Sequence, residues 1–247
     1  MFIYFIVAGV LAGIVSVIAS MASLVSYPAL LFAGLSPVVA NMTNTASLIT
    51  TGFGAAASSF KELKGHWEEL AKYCLFGLTG AALGGWLLIA FPGDVFKKLV
   101  PFFVIFSAIM LLISGRRETF QGHEKKSKFK RILAFCGLFV AGVYAGYFGA
   151  AAGVLMLIFI TYLSDDSFVV INAMKNLLGS LANLVALLIF LYRGLIRWDV
   201  AIPLAIGLFV GGYIGQSLVK YMKPSLVRWI TAFFSVILAG YLFYTAY

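Results

Sequence analysis

The chain alternates between long apolar stretches and short polar connections over its whole length. A stretch of about 20 apolar residues is needed to cross the hydrocarbon core of a bilayer. Stretches that approach or exceed this length cover residues 2–35, 37–60, 70–91, 95–114, 132–163, 168–192, 200–219 and 227–247. The pattern predicts an all-α polytopic integral membrane protein with about eight membrane segments in total.

The same pattern occurs twice, displaced by about 131 positions. The sequence KGHWE at 64–68, followed by three spaced glycines, corresponds to LIRWD at 195–199, again followed by three spaced glycines. We therefore predict two homologous repeats of about four membrane segments each, residues 1–114 and 132–247, joined by a polar linker, 115–131. An internal duplication of this kind is typical of secondary transporters, whose sites lie between the repeats.

The first apolar stretch of each repeat is longer than one span requires. Small residues lie near the centre of each, at Ser20–Ser23 and at Gly149–Gly153. We expect this first segment to be broken or re-entrant, which is tolerated where the backbone is buried in protein or lines a cavity. A full helix followed by an interfacial helix is the alternative. One crossing per first stretch would give parallel repeats, whereas a hairpin or two short crossings would give inverted repeats, and the sequence leaves both open.

The net charge of +9 is concentrated in the linker 115–131. Basic residues beside membrane segments mark cytoplasmic loops, so we expect a cytoplasmic linker in a multi-pass protein of the cell (inner) membrane. Anionic lipid headgroups are natural partners for such a cluster. A basic cluster confined to one membrane connection argues against nucleic acid as a partner.

Polar residues recur inside two corresponding apolar stretches. Lys175 lies near the start of one, and Asn172 and Asn176 share its helical face; the other carries Asn41, Thr43 and Asn44. Ionisable residues inside membranes usually mark sites or pathways, and a lysine among amide and hydroxyl donors suits an anion. Alternatively, Lys175 snorkels toward the interface or pairs with Asp165 or Asp166, and the amides only join helices.

The expected helix breaks strengthen the prediction of an anion site. If half-helices begin near Ser20 to Ser23 and near Gly149 to Gly153, their free N–H groups and positive dipole ends point toward the membrane centre. Ser20, Ser23, Gly149 and Gly153 would then contact substrate oxygens through hydroxyl or backbone donors.

No constellation of catalytic residues is apparent in the sequence. His66 and His123 lie in charged loops without the spacing of a metal site, and no P-loop is present. We therefore expect neither an enzyme nor a bound cofactor or metal. A non-transporting membrane scaffold remains an alternative, and a homo-oligomer is compatible with the sequence.

Several of these segments resemble the TauE/SafE sulfite exporter family, also called the toluene-sulfonate uptake permease group. They are GLSPVVA at 34–40, with Pro28 before it and Thr43 after it, and the two tryptophan motifs with their glycines. The resemblance implies four helices plus four and transport of sulfite, organosulfonates or related sulfur oxyanions. The chain departs from the family in two places. One is the pair of breaks at 19–23 and 149–153, which carry fewer glycines, and the other is the segment Met174-Lys175-Asn176.

Taken together, these features predict a secondary transporter that moves a small anionic substrate across the cytoplasmic membrane by alternating access. Its site would lie between the repeats. A carrier of another small solute, such as a carboxylate or an amino-acid derivative, is the alternative within transport.

Overall fold

The structure, a computed structural model, describes residues 1–19, 21–58, 63–91, 93–114, 128–218 and 224–247. Within these ranges the chain forms ten α-helices and no strand. The helices are α1 (Phe2–Ala19), α2 (Ser23–Phe32), α3 (Pro37–Ser58), α4 (Trp67–Ala90), α5 (Gly93–Ser114), α6 (Lys128–Tyr147), α7 (Ala152–Leu163), α8 (Phe168–Leu191), α9 (Trp198–Leu218) and α10 (Pro224–Ala246).

The exterior of these helices is apolar, as a lipid environment requires. Among the described residues, four helical segments are long and apolar enough to cross a membrane: Trp67–Ala90, Lys128–Tyr147, Val169–Leu191 and Trp229–Ala246. On α10, Trp229, Phe233 and Phe234 are each 63% exposed. A surface with so many exposed aromatic rings is a liability in water but suits lipid. The chain is therefore a multi-pass membrane protein.

Each long first stretch contains two helices rather than one, so eight apolar stretches become ten helices. In the first stretch, the hydroxyl of Tyr4 on α1 donates to the carbonyl of Ala29 on α2 over 3.1 Å. In the second, a methyl group added to Gly137 of α6 would lie 2.2 Å from the ring of Phe159 on α7. These contacts show that each short helix returns along the long helix before it, which makes two hairpins.

Two long helix pairs are built on glycine and cross between the halves of the chain. A methyl group on Gly211 of α9 would lie 2.1 Å from the carbonyl oxygen of Val10 on α1. A methyl group on Gly146 of α6 would lie 2.0 Å from that of Ala81 on α4. Small residues allow membrane helices to approach this closely. Consequently α1 packs most extensively against α9, and α4 against α6.

One end of the helix bundle is defined by an open cavity of about 490 Å³. Its wall includes Met1 at the start of α1, Ser36 before α3, and Arg197 before α9. We call this the Arg197 end. Because α1, α3 and α9 begin here, they run in the same direction, and α8 ends here. Arg193, just after α8, donates to the carbonyl of Ile89 near the end of α4.

The opposite end is defined by a contact between the segment before α4 and the segment before α8. Nδ1 of His66 lies 3.2 Å from Oδ2 of Asp166, and we call this the His66 end. Helix α6 runs parallel to α4, because Gly77 and Ala81 of α4 meet Gly142 and Gly146 of α6 in the same order. Thus α4, α6 and α8 start at the His66 end and run opposite to α1, α3 and α9.

Helices α5 and α10 complete the bundle side by side. Phe102, in the first half of α5, contacts Phe243, near the end of α10, with ring centroids 4.9 Å apart. Since α5 follows α4 and starts at the Arg197 end, α10 runs antiparallel to it and ends at the Arg197 end. Of the expected linker 115–131, residues 128–131 belong to α6, and residues 115–127 lie outside the described part of the chain.

Candidate functional site

Buried polar side chains concentrate in the first half of α3. Each is less than 5% exposed, although the helix lies within a mostly apolar bundle: Asn41, Thr43, Asn44, Thr45 and Ser47. Polar groups away from water are costly unless they are hydrogen-bonded. The partners of these side chains therefore indicate which of them hold the fold together and which are available for a ligand.

Asn44 connects α3 with the beginning of α2. Its Oδ1 accepts from the hydroxyl of Ser26 over 2.5 Å, and its Nδ2 donates to the hydroxyl of Ser23 over 3.2 Å. Two residues that the sequence predicts to bind substrate, Asn44 and Ser23, are thus brought together directly. Ser20, predicted with them, lies outside the described residues.

Thr43 and Ser47 connect α3 with α9. The hydroxyl of Thr43 accepts from the backbone N–H of Arg197 over 3.2 Å. The hydroxyl of Ser47 lies 3.0 Å from the carbonyl oxygen of Ala201, to which it can donate. These contacts attach α3 to the helix that begins at the Arg197 end, so Thr43 already has a structural partner in this structure.

Asn41 has one polar atom with a partner and one without. Its Nδ2 donates to the carbonyl of Tyr147, the last residue of α6, over 2.8 Å. Its Oδ1 is buried and has no hydrogen-bond partner, and the same is true of the hydroxyl of Tyr27. The Tyr27 ring packs edge-on against Phe148, with centroids 5.3 Å apart. Both unpaired atoms therefore belong to side chains that contact the residues at the break between α6 and α7.

The break itself has a left-handed backbone that ends α6 and starts α7. Gly149 has a φ of 81°, and Ala151 has a φ of 65°, a conformation that costs a residue with a Cβ about 1–2 kcal/mol. The buried hydroxyl of Ser107 on α5 contacts both the carbonyl of Ala150, at 3.0 Å, and the hydroxyl of Tyr144, at 2.9 Å. Helix α5 thus supports this break from the side.

Gly149 and Gly153 lie at the break, as expected from the sequence. Gly153 is the second residue of α7, where a helix has backbone N–H groups without an intrahelical acceptor. Such a helix start is suited to a negatively charged group. The neighbouring unpaired atoms of Asn41 and Tyr27 add side-chain groups of the kind that hydrogen-bond a polar ligand.

The polar residues of α8 lie toward the other end of the bundle. Lys175 is buried, with 4% of its surface exposed, and it has an interaction partner. Asn172 and Asn176 are half-buried. Asp166, one of the acids expected to pair with Lys175, contacts His66 and Ser164. Lys175 is the eighth residue of α8, about 11 Å from its start at a rise of about 1.5 Å per residue.

The polar residues of α3 and those of α8 therefore lie at different depths in the helix bundle. Asn41 is the fifth residue of α3, which starts at the Arg197 end, and Lys175 is near the start of α8, at the His66 end. Helices α3 and α8 pack against each other and run in opposite directions. The polar stretches of the two helices thus extend inward from opposite ends of the same helix pair.

Sequence reasoning missed several residues of this site. Tyr27, Ser107 and Tyr144 were not singled out, because a tyrosine or a lone serine in an apolar stretch is usually a packing residue. The only available signal for Tyr27 was its position between Ser26 and Pro28, in the stretch expected to be irregular.

An apolar exterior, two helical hairpins and buried polar groups around a helix break define a polytopic helical membrane protein with an interior suited to a polar ligand. Comparison with known proteins agrees. The sequence model of the family described as Sulfite exporter TauE/SafE matches residues 5–242. The chain belongs to this family of membrane transporters.

Its curated relatives carry general names. A "Probable membrane transporter protein ORF9" from Sinorhizobium sp is 28% identical over 91% of this chain and 87% of that protein. A "Probable membrane transporter protein" from Haemophilus influenzae is 24% identical over 96% and 92% of the two chains. The Escherichia coli K12 "Probable membrane transporter protein YfcA" is 26% identical over 96% and 87%. No solved structure matches the chain.

Proposed function

We propose that this protein is a secondary transporter that moves small anions, most specifically sulfite, organosulfonates or related sulfur oxyanions, across the cytoplasmic membrane. The observation that carries the proposal is the presence of buried, unpaired polar atoms on Asn41 and Tyr27, whose side chains contact Tyr147 and Phe148 at the end of α6. Such atoms cost free energy unless a ligand or water completes their hydrogen bonds. The family to which the chain belongs supports a transported ligand.

The two halves of the chain are proposed to be inverted repeats. Helices α3, α4 and α5 begin at residues 37, 67 and 93, and α8, α9 and α10 begin 131 positions later, at 168, 198 and 224. The pairing of α1 with α9 corresponds to that of α6 with α4 under this displacement. Because α1 and α6 run in opposite directions, corresponding helices are related by inversion across the membrane, as in many transporters with alternating access.

The His66 end is proposed to be cytoplasmic. The connections between α3 and α4, between α5 and α6, and between α9 and α10 join helix ends at this side, and their sequences carry eight of the 18 Lys and Arg residues, whereas the connections at the Arg197 end carry two. The connection that contains the linker residues 115–127 is the most basic. A surplus of Lys and Arg in short connections favours the cytoplasmic side, which makes the linker cytoplasmic and places the cavity at the Arg197 end outside.

In the proposed mechanism, the polar residues of α3 and α8 form two parts of one pathway. Lys175, Asn172 and Asn176 attract and orient the anion in the cytoplasmic half. At the break between α6 and α7, the anion contacts Asn41, Tyr27 and the backbone near Gly149 and Gly153. Asn44 and Ser23 hold α2 against α3. Movement of the α1–α9 pair relative to the α4–α6 pair would open the pathway to each side in turn.

The test is uptake of radiolabelled sulfite by proteoliposomes that contain the purified protein. We expect saturable uptake by the wild type and at least a tenfold loss in Asn41→Ala and in Lys175→Ala. Thr79→Val is a matched control, because the exposed Thr79 hydroxyl bonds only to carbonyls of its own helix. All three variants are first checked for monodispersity and thermal unfolding.

The alternatives give different results in the same assay. Inhibition of sulfite uptake by an unlabelled carboxylate or amino-acid derivative, with faster uptake of that compound, would assign the carrier to another solute. Absence of uptake for every anion, with a control carrier active in parallel, would contradict transport and favour a membrane scaffold. Unchanged uptake in both variants would remove Asn41 and Lys175 from the pathway.

A further inference from the structure

Three potential metal ligands meet at the His66 end. His66 precedes α4, Glu69 lies in its first turn, and Asp166 lies in the connection between α7 and α8. One ligand atom from each residue lies within 4.8 Å of the others. The three side chains are half-buried, so they are shielded from bulk water and yet accessible from the end of the bundle.

The distances suit a tetrahedral ion. Zinc binds histidine nitrogen and carboxylate oxygen at about 2.0–2.2 Å, and ligands at tetrahedral corners are then about 3.3–3.6 Å apart. The separation of 3.2 Å between Nδ1 of His66 and Oδ2 of Asp166 is already close to this value. Small side-chain rotations would bring Glu69 into the same range and leave a fourth position for water.

The ligands are held from behind by neighbouring hydroxyls. The hydroxyl of Tyr73 donates to Oε1 of Glu69 over 3.2 Å. The hydroxyl of Ser164 donates to Oδ2 of Asp166 over 2.7 Å. Partners of this kind orient metal-bound carboxylates and contribute to affinity.

The local charge also favours a cation. Two carboxylates are held together with a single imidazole, and the nearby Lys72 is engaged with the exposed Glu68 over 2.8 Å. Two ionised carboxylates at such short range repel each other, and a cation bound between them would relieve this repulsion. Because one ligand is an imidazole nitrogen, the set favours zinc and similar transition metals over magnesium or calcium, which prefer oxygen alone.

We propose that His66, Glu69 and Asp166 bind a divalent transition-metal ion such as Zn²⁺ at the His66 end of the bundle. The ion would join the start of α4 to the connection before α8, segments about 100 positions apart in the chain. This site is separate from the polar residues assigned to the transported anion, and the proposal stands whether or not the protein carries sulfite.

The test is calorimetric titration of the purified full-length protein in detergent with ZnCl₂, repeated with CoCl₂ while the visible spectrum is recorded. All proteins carry Cys74→Ala and Cys136→Ala, which removes the two thiols as competing ligands. We expect one Zn²⁺ per chain, a tetrahedral Co²⁺ spectrum and a higher unfolding temperature with Zn²⁺. His66→Gln and Asp166→Asn should each weaken binding by at least about 10–100-fold, since loss of an outer-shell partner alone has that effect.

Two control variants separate this site from other weak binding. Glu68→Gln removes an exposed carboxylate beside Glu69, and His123→Gln removes the other histidine of the chain; both should bind Zn²⁺ as the parent does. If either ligand variant does not fold, Glu69→Gln replaces it. The proposal is overturned if the parent protein binds no Zn²⁺ in this titration, or if the folded ligand variants retain the parental affinity. A loss of Zn²⁺ affinity in His123→Gln would also overturn the proposal.

Discussion

Single hydroxyl and amide groups on α3 connect it to three different neighbours. Asn44 contacts α2, Asn41 contacts the end of α6, and Thr43 contacts the segment before α9. The sequence shows that this helix is polar, because the residues are visible inside an apolar stretch. It does not show their partners, since a hydroxyl within a helix can also bond to its own backbone, as Ser47 does with the carbonyl of Thr43. This is why the cluster could be predicted and the roles of its members could not.

At the same scale, Ser107 should be important for the helix break. Ser107→Ala removes the hydroxyl that contacts Ala150 and Tyr144 and leaves buried polar groups without that partner, which costs about 1–3 kcal/mol. We expect a lower thermal unfolding midpoint in detergent. Thr79→Val, which loses an exposed hydroxyl bonded within its own helix, should unfold near the wild-type temperature. Equal midpoints for Ser107→Ala and the wild type would argue against support of the break by α5.

At the scale of elements, helix starts were more predictable than helix partners. The tryptophan motifs at 64–68 and 195–199 mark the starts of α4 and α9, because polar connections interrupt the apolar pattern there. The hairpins could only be expected as a break, since the residues of 19–23 and 149–153 do not encode the direction of the chain after the break. The spaced glycines that follow the two motifs, on α4 and α9, do not show in the sequence which helix packs against them.

A Gly→Ala substitution at one of these close contacts should destabilise the protein, whereas the same substitution at a glycine that faces open space should not. In Gly146→Ala the new methyl group would lie 2.0 Å from the carbonyl oxygen of Ala81, so α4 and α6 must separate at a cost of about 1–3 kcal/mol. In Gly240→Ala nothing lies within 4 Å of the new methyl group, and alanine is favoured over glycine in a helix by about 1 kcal/mol. We expect thermal unfolding midpoints to fall for the first variant and to stay equal or rise for the second. If the unfolding midpoints of both variants shifted in the same direction, the backbone contact between α4 and α6 would be contradicted.

At the scale of the whole molecule, the sequence left parallel and inverted repeats open because the charges of the connections fit both. The opposite directions of α1 and α6 are the basis of the proposed inverted arrangement, and they depend on the hairpins. The start of α1 and the end of α10 both lie at the Arg197 end, and the end of α5 and the start of α6 lie at the His66 end.

This topology can be measured by labelling single cysteines in intact cells. In a background with Cys74→Ala and Cys136→Ala, we expect Tyr192→Cys, at a position that is 90% exposed at the Arg197 end, to react with a membrane-impermeant maleimide from outside. Lys64→Cys, at the His66 end, should react only after the cells are permeabilised. The reverse pattern would invert the orientation, and labelling of both positions from outside would contradict the helix directions.

The exchange of helix partners between the halves has a consequence for the synthesis of the protein. The glycine face of α1 is synthesised well before its partner, because it packs against α9, which begins 196 residues later. At about 5–20 residues per second, α1 waits about 10–40 s in the membrane before its partner exists. Neither half can complete its packing alone, so a ribosome that stops at the linker leaves a fragment in which α1, α3, α4 and α5 all have unmatched faces. Such a fragment is a natural substrate for membrane quality control.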